Sequence, residues 1–295
     1  MPLHHKTRRY IFAYAMLLPG IIFLLVFTFY PIIFGLPLAF TNYSALAETQ
    51  WVGWRNFERA FADADFLHSL KNSLLYVIVV PVIQFVSILM AILVNNNLKG
   101  VQFFRVAYFI PVVTSMVAVA IAWKWMFEEK GIVNYILKSV GLIDSNIAYL
   151  NNIDTALFAV MFVTVWKGLG YYMMIYLAGL QSIPSELQEA ARIDGANRYQ
   201  VIWHVTIPLL KPFVLLCSLL SVMAAIRVFD EVYVMTGGGP ANSSMVTGLY
   251  TYNKAFKDFD FGYAAAIGLI VALIVFVFTV LTFKFGKKGG LNYYG

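Results

Sequence analysis

Charge is scarce in this chain: Asp, Glu, Lys and Arg together make up 12% of its 295 residues, about half the share of a soluble globular domain. Cysteine occurs once, as Cys217, which excludes a disulfide framework and any multi-cysteine metal site. No G-x-x-x-x-G-K-[ST] phosphate loop is present, so any ATP-derived energy has to come from another chain. His4, His5, His68 and His204 do not stand at metal-ligand spacing, and no nucleophile–base pair is identifiable, so neither a metal site nor catalytic chemistry is expected. Internal repeats and low-complexity tracts are also missing. What abounds is apolar surface: 61% of residues are hydrophobic, and they are clumped into long runs.

Six such runs stand out, roughly 11–40, 70–94, 103–125, 156–180, 208–229 and 263–285. Each is long enough to cross about 30 Å of hydrocarbon as a helix. A helix satisfies its own backbone, and these runs lack the alternation of a membrane barrel. The sequence therefore predicts an all-α integral membrane protein with six transmembrane helices, kinked or ended near Pro37 in the first. Lys6, Arg8 and Arg9 precede that first run and Ala45-Leu46-Ala47 resembles a cleavage site. The run is about twice the length of a signal-peptide core, so a retained span is expected.

Orientation follows from the basic residues. With the N-terminus in the cytoplasm, Lys6, Arg8, Arg9, Lys99, Arg105, Arg192, Arg198, Lys211, Lys284, Lys287 and Lys288 lie inside. Only Glu186, Glu189 and Asp194 accompany them as inside acids. The opposite arrangement would place the acidic excess in the cytoplasm. Both termini are therefore expected inside, with a cytoplasmic tail at 1–9, a six-helix membrane domain at 10–288 and a second tail at 289–295. The net charge of +6 is then accounted for by insertion, and a nucleic-acid partner is not expected.

The most informative stretch is the inside loop 181–207. Ser185 with Gln188 reads as a capping box, and Glu186 and Glu189 sit in the first turn, where the helix dipole favours negative charge. Gly195 is placed to end that helix in the left-handed conformation. A second short helix follows from about Asn197 to Val205, until Pro208 opens the next span. Local chemistry alone leaves two readings: a surface loop that only ties two spans, or a docking element presenting Ala190, Ala191 and Ala196 to a partner backbone.

Glu189-Ala190-Ala191, three residues, Gly195, then Val205 and Ile207-Pro208 resemble the signature loop of binding-protein-dependent ABC importer permeases. Val205 and Ile207 depart from the isoleucine and leucine usual there. Asp194-Gly195-Ala196 resembles the carbohydrate branch, as do Thr236-Gly237-Gly238-Gly239-Pro240 and the external segment Trp51-Val52-Gly53-Trp54-Arg55-Asn56-Phe57. The likeness spans nearly the whole chain. It implies a permease subunit that forms half of a heterodimeric pore for a sugar, oligosaccharide or related polyol in a bacterial cytoplasmic membrane. Glu186, Glu189, Ala190, Ala191, Asp194, Gly195 and Ala196 would dock on an ATPase. Gly237, Gly238, Gly239 and Pro240 would meet an extracytoplasmic substrate-binding protein. It further implies two ATPase subunits that hold ATP and Mg²⁺, and no cofactor on this chain. Alternating access would follow the ATPase motion.

The resemblance also carries Thr164, Lys167, Gly168 and Tyr171 onto the translocation path. A charge at membrane depth is costly and is a functional suspect. Packing explains the same residues equally well: Gly168 and Gly170 for close helix approach, Lys167 for a polar interhelical contact. Arg227 and Ser221 in the fifth run are further path candidates, whereas Asp230 and Glu231 read as an interfacial cluster at its outer end. Cys217 reads as packing, and Trp51, Trp54, Trp123 and Trp125 as interface anchors. An ion-coupled secondary transporter is the main rival. It would need acidic or polar ion sites at mid-membrane, and the sequence places no carboxylate in the span interiors. An intramembrane enzyme is a weaker rival, lacking paired catalytic groups.

Overall fold

The computed structural model describes residues 5–44, 48–95 and 100–287, with side chains from Arg9 to Lys284. The side chains of Lys6, Arg8, Lys99, Lys287 and Lys288, the histidines at 4 and 5, the Ala45–Ala47 stretch and the 289–295 tail lie outside the described residues. In chain order the helices are α1 (His5–Leu24), α2 (Tyr30–Gly35), α3 (Arg55–Ala62), α4 (Ala64–Leu75), α5 (Val79–Val94), α6 (Val101–Val113), α7 (Met116–Met126) and α8 (Ile132–Ser139). There follow α9 (Ala156–Gln181), α10 (Ser185–Ile193), α11 (Arg198–Val201), α12 (Ile207–Leu209), α13 (Lys211–Ile226), α14 (Asp230–Met235), α15 (Thr247–Phe256) and α16 (Phe261–Lys287). Among the described residues there is no strand, only the isolated bridges Thr41–Trp51 and Ser44–Asp260. Five helical stretches are long and apolar enough to cross a membrane, six if the bent pair α6–α7 counts as one span.

The chain divides into two compact units, residues 1–63 with 251–270, and 64–250 with 271–295. In the first unit, the run from α1 to Phe40 remains helical past three prolines, keeping α geometry through Pro19 and changing pitch near Pro31 and Pro37. The turn before Pro31 widens to a π-helix over Leu25–Phe29, with the Tyr30 N–H reaching Leu25 O; a proline cannot donate and crowds the preceding carbonyl, and a wider turn relieves both. Around Pro37 the turn tightens to 3-10 over Leu36–Phe40 and ends at extended Thr41, as the sequence predicts. Every residue from Arg9 to Phe34 is exposed. The Trp-Val-Gly-Trp segment is tied down locally. Trp51 stacks on Phe40 at 5.5 Å, and Asn56 Nδ2 donates to Ala39 O and Thr41 O at 2.9 and 2.8 Å. Arg59 pairs with Asp260 at 2.6 Å and lies over the Tyr263 ring, whose hydroxyl donates to Asp63 at 2.7 Å.

The second unit is built around α9, which packs along α5 and against α6, α13 and α14. Gly170 permits the approach of α6: a methyl there would overlap the backbone oxygen of Tyr108. Two expectations are corrected in this unit. The third run is not one straight span: α6 and α7 meet at 99°. Pro111 removes a donor from the last turn of α6, Thr114 Oγ1 donates back to Ile110 O at 2.9 Å, and Thr114 itself is extended. Hydropathy runs through the break unchanged because it counts composition and not backbone geometry. The fifth span, in turn, does not stop at Phe229. After Arg227 to Phe229 the chain re-enters helix as α14, and the apolar stretch extends from Lys211 to Met235. Asp230 and Glu231 are thus inside it.

Candidate functional site

Thr164, Lys167, Gly168 and Tyr171 stand at i, i+3, i+4 and i+7 on α9, the spacing that puts residues on one helix face. All four line a single cavity of about 420 Å³. Val79 and Ile83 close it from α5, Ser221, Ala224 and Ala225 from α13, and Glu231 from α14. Val112 and Met116 line it on either side of the α6–α7 break. In a continuous helix Met116 N–H would bond Val112 O; with the helix broken, the Lys167 ammonium donates to that carbonyl, at a long 3.4 Å.

Glu231, read from the sequence as part of an interfacial cluster, also lines this cavity. It is 8% exposed, and its Oε1 accepts from Thr164 Oγ1 at 2.8 Å. Thr164 has one proton to give, so the fully buried Tyr76 donates to it at 2.5 Å, completing a relay Tyr76→Thr164→Glu231 from α5's entry turn to α14. The carboxylate and Lys167 line the same cavity. Non-helical Val228 and Phe229 let α14 restart with this side chain turned inward. The readable signal is position: the Asp230-Glu231 pair stands between the apolar Val228-Phe229 and Val232-Tyr233-Val234-Met235. Arg227 shows the reverse. It is exposed at the C-terminal end of α13 and does not line the cavity.

Ser221 reaches the cavity wall, yet it is only 3% exposed and its hydroxyl is committed. It donates to Cys217 O at 2.7 Å and accepts from Gln84 Nε2 at the same distance. Gln84 Nε2 also reaches Cys217 O at 3.2 Å, and the Tyr176 hydroxyl donates to Gln84 Oε1. Sequence reasoning misses Gln84, Tyr176 and Tyr76; a lone glutamine amid apolar α5 is the available clue.

The 181–207 loop forms the two expected helices with one change of cap. α10 starts at Ser185, so Pro184 is its boundary residue and no side-chain cap forms; Ser185 already has helical geometry and is one residue too late to cap. The capping box is found instead at α11, where Gln200 N–H donates to Asn197 Oδ1 at 3.0 Å and Asn197 N–H to Gln200 Oε1 at 2.8 Å. Gly195 takes φ +89°. Gly195 N–H reaches Arg192 O at 3.0 Å and Ala196 N–H reaches Ala191 O at 2.9 Å, a Schellman closure. Glu186, Glu189, Ala190 and Asp194 are exposed, while Ala191 and Ala196 are half-buried. Beside them Ile193 is 86% and Tyr199 76% exposed, with Trp203 also standing out.

On the opposite flank of the sequence pattern, Gly237 and Gly238 adopt positive φ and Gly239–Pro240 is cis. Gly237 is exposed, but Gly238 is buried, and a methyl there would sit 2.5 Å from Met245 Cε. Gly238 therefore shapes the turn from inside. Gly239 and Pro240 line a cavity of about 550 Å³ with Lys124, Glu128, Lys130 and Asn151. Among the described residues no group of His, Cys, Asp and Glu is arranged to hold a metal. Trp123 is packed against Phe127, Phe162 and Trp166, whereas Trp51, Trp54 and Trp125 are exposed.

These features stand on a chain with clear relatives. Residues 83–288 match the model of the binding-protein-dependent transport system inner membrane component family. The chain belongs to that family of integral membrane permeases, and the matched region contains the whole 181–207 loop and the cavity's α9 face. The probable ABC transporter permease protein YurN of Bacillus subtilis is 35% identical over 95% of this chain and 97% of its own. The multiple sugar-binding transport system permease protein MsmF of Streptococcus mutans is also 35% identical, over 92% and 94%. Among solved structures, a bacterial ABC transporter involved in import of the acidic polysaccharide alginate superposes with a TM-score of 0.83 at 26% identity, covering 96% of this chain and 97% of that one. The same kind of transporter in complex with an alginate pentasaccharide-bound periplasmic protein gives 0.81 at 25% identity over 96% of each chain.

Proposed function

We propose that this chain is one of two permease subunits of an ATP-driven carbohydrate importer in a bacterial inner membrane, with both termini cytoplasmic. It moves a sugar, oligosaccharide or polyol through the cavity along α9 and catalyses no reaction itself. Two ATPase subunits bind ATP and Mg²⁺, and this chain binds no cofactor. An extracytoplasmic binding protein delivers the solute near the Gly237–Pro240 turn and the cavity beside it. The sugar-transport relatives support the substrate class, and the complex with a loaded periplasmic protein supports the delivery step.

The observation that carries the coupling role is the exposed, Schellman-closed α10, with Ile193, Tyr199 and Trp203 uncovered around it. An apolar surface of this kind, rimmed by Glu186, Glu189 and Asp194, fits a protein groove better than water. Gly195→Pro tests it. Proline fixes φ near −65° and has no N–H for Arg192 O, so α10 loses its closure while the spans are untouched. The expected result is normal insertion and at least a tenfold loss of uptake and of substrate-stimulated ATPase activity in the assembled complex; normal uptake at normal expression sinks the docking role.

Glu231 puts a carboxylate within the Lys211–Met235 apolar stretch, near its end, which is the one observation that favours the ion-coupled rival. Family membership weighs against that rival. Vesicle uptake that follows a proton or sodium gradient and ignores ATP would favour it.

A further inference from the structure

The α9 cavity contains two ionisable side chains of opposite sign, Lys167 and Glu231; the other basic candidate, Arg227, lies off it. Glu231 is fixed, not swinging: Thr164 donates to Oε1 at 2.8 Å, and Tyr76, itself immobilised by burial, supports Thr164 from behind. The rest of the wall is Tyr171, Tyr172, one committed hydroxyl and apolar side chains. Tyr171 and Tyr172 stand edge to face at 5.1 Å, and Tyr171 is 43% exposed, so one ring is free to lie against a sugar face.

An anionic sugar entering this space gains attraction from Lys167 and loses it to Glu231, and it also gives up its own hydration. A neutral sugar avoids that balance. Its hydroxyls both accept and donate, so the ammonium and the carboxylate each satisfy one half of them. We propose that Glu231 is the charge filter of this path, offsetting Lys167 and restricting the cavity to uncharged, hydroxyl-rich sugars at the expense of uronic-acid sugars. The inference rests on the carbohydrate-permease reading and narrows it. It sets this chain apart from the similar transporter that imports an acidic polysaccharide.

The test uses the complete complex of both permease subunits and both ATPases in lipid nanodiscs, without the delivery protein, whose own selectivity would mask the cavity's. Maltotriose and trigalacturonate, matched in length, are compared by saturation-transfer NMR titration. The wild-type complex is expected to bind maltotriose more tightly. Glu231→Gln should shift the maltotriose-to-trigalacturonate affinity ratio toward the acid by about tenfold, the scale of removing one unit charge near a ligand in a partly solvated site. Lys167→Met should shift the ratio the other way. A wild-type preference for trigalacturonate overturns the filter, as does an assembled Glu231→Gln complex with an unchanged ratio. Should that variant fail to assemble, the Lys167→Met ratio decides alone: a rise toward maltotriose supports the filter and no change overturns it. Failure of the wild type to bind either sugar overturns the carbohydrate reading itself, and the filter with it, which is a different result from binding the wrong one.

Discussion

The two sides of α9 use similar residues for opposite ends. On the packed side, Gly170 lets the backbone of α6 come into contact, and Tyr176 donates to Gln84, whose amide closes a ring of hydrogen bonds with Ser221 and the Cys217 carbonyl. On the cavity side, Gly168 has room for a methyl, which would meet Ile83 Cδ1 at 3.4 Å and the Tyr172 ring in ordinary contact. Tyr171 is exposed there, and the polar relay through Thr164 ends on a carboxylate that faces the cavity. Polar groups in a membrane protein either satisfy one another and fix helix register, or stay available and meet a solute. Here both kinds occur within four turns of one helix. The sharpest break of this contrast is a pair of alanines. Gly170→Ala drives a methyl into a backbone oxygen that no rotamer change can move, and should cost about 3 kcal/mol or more. Gly168→Ala meets only ordinary contact and replaces a mid-helix glycine, so stability should hold or rise by up to about 1 kcal/mol. Thermal unfolding of the purified complex separates them; equal losses would mean that α9 does not have a packed and an open side.

Gln84→Leu comes next in size. It strips the Tyr176 hydroxyl of its acceptor and Ser221 of a donor in a region closed to water. Leaving a buried polar group unsatisfied costs about 1–3 kcal/mol, tempered in membranes because the reference state also finds partners, so a loss of about 2 kcal/mol is expected. The ratio of maltotriose to trigalacturonate binding should not change, because no charge has moved. A shifted ratio would show that the closed network reaches into the solute path.

Much of this site is legible in the amino-acid sequence, for reasons that differ residue by residue. Thr164, Lys167, Gly168 and Tyr171 are legible together because helical periodicity places i, i+3, i+4 and i+7 on one face whatever the tertiary fold. Gly195 is legible because a glycine after a capped amphipathic segment has few other uses. Ser185 is mis-set by a single residue, since Pro184 takes the boundary and pushes the serine into the first turn. The 99° break at Thr114 is hidden from hydropathy because the residues on both sides are equally apolar, and Pro111 is the sequence signal that marks it. Glu231 lines the cavity and Arg227 does not, because their directions depend on the non-helical pair Val228 and Phe229, which resets the rotation of α14 relative to α13. Sequence periodicity holds only within an unbroken helix, and the errors fall where a helix breaks.

The smallest expected effects sharpen the same contrast at two residues that both touch the cavity. Ser221 and Lys167 are both path candidates by sequence, and both line the cavity. Their hydrogen bonds distinguish them: Ser221 holds two at 2.7 Å inside the closed ring, while Lys167 has one contact at 3.4 Å to the carbonyl that the helix break releases. Ser221→Ala should therefore lower stability by about 1 kcal/mol and leave the KM for sugar uptake within about twofold, because the hydroxyl is not free to meet a solute. Lys167→Met keeps the length of the stem, and water in the cavity can take over Val112 O, so stability should change by less than about 0.5 kcal/mol. Uptake should nevertheless fall severalfold, because the cavity then presents an unbalanced carboxylate to every solute that enters. If Ser221→Ala alters KM while Lys167→Met alters only the melting temperature, the ring around Gln84 is the solute contact and the α9 face is structural.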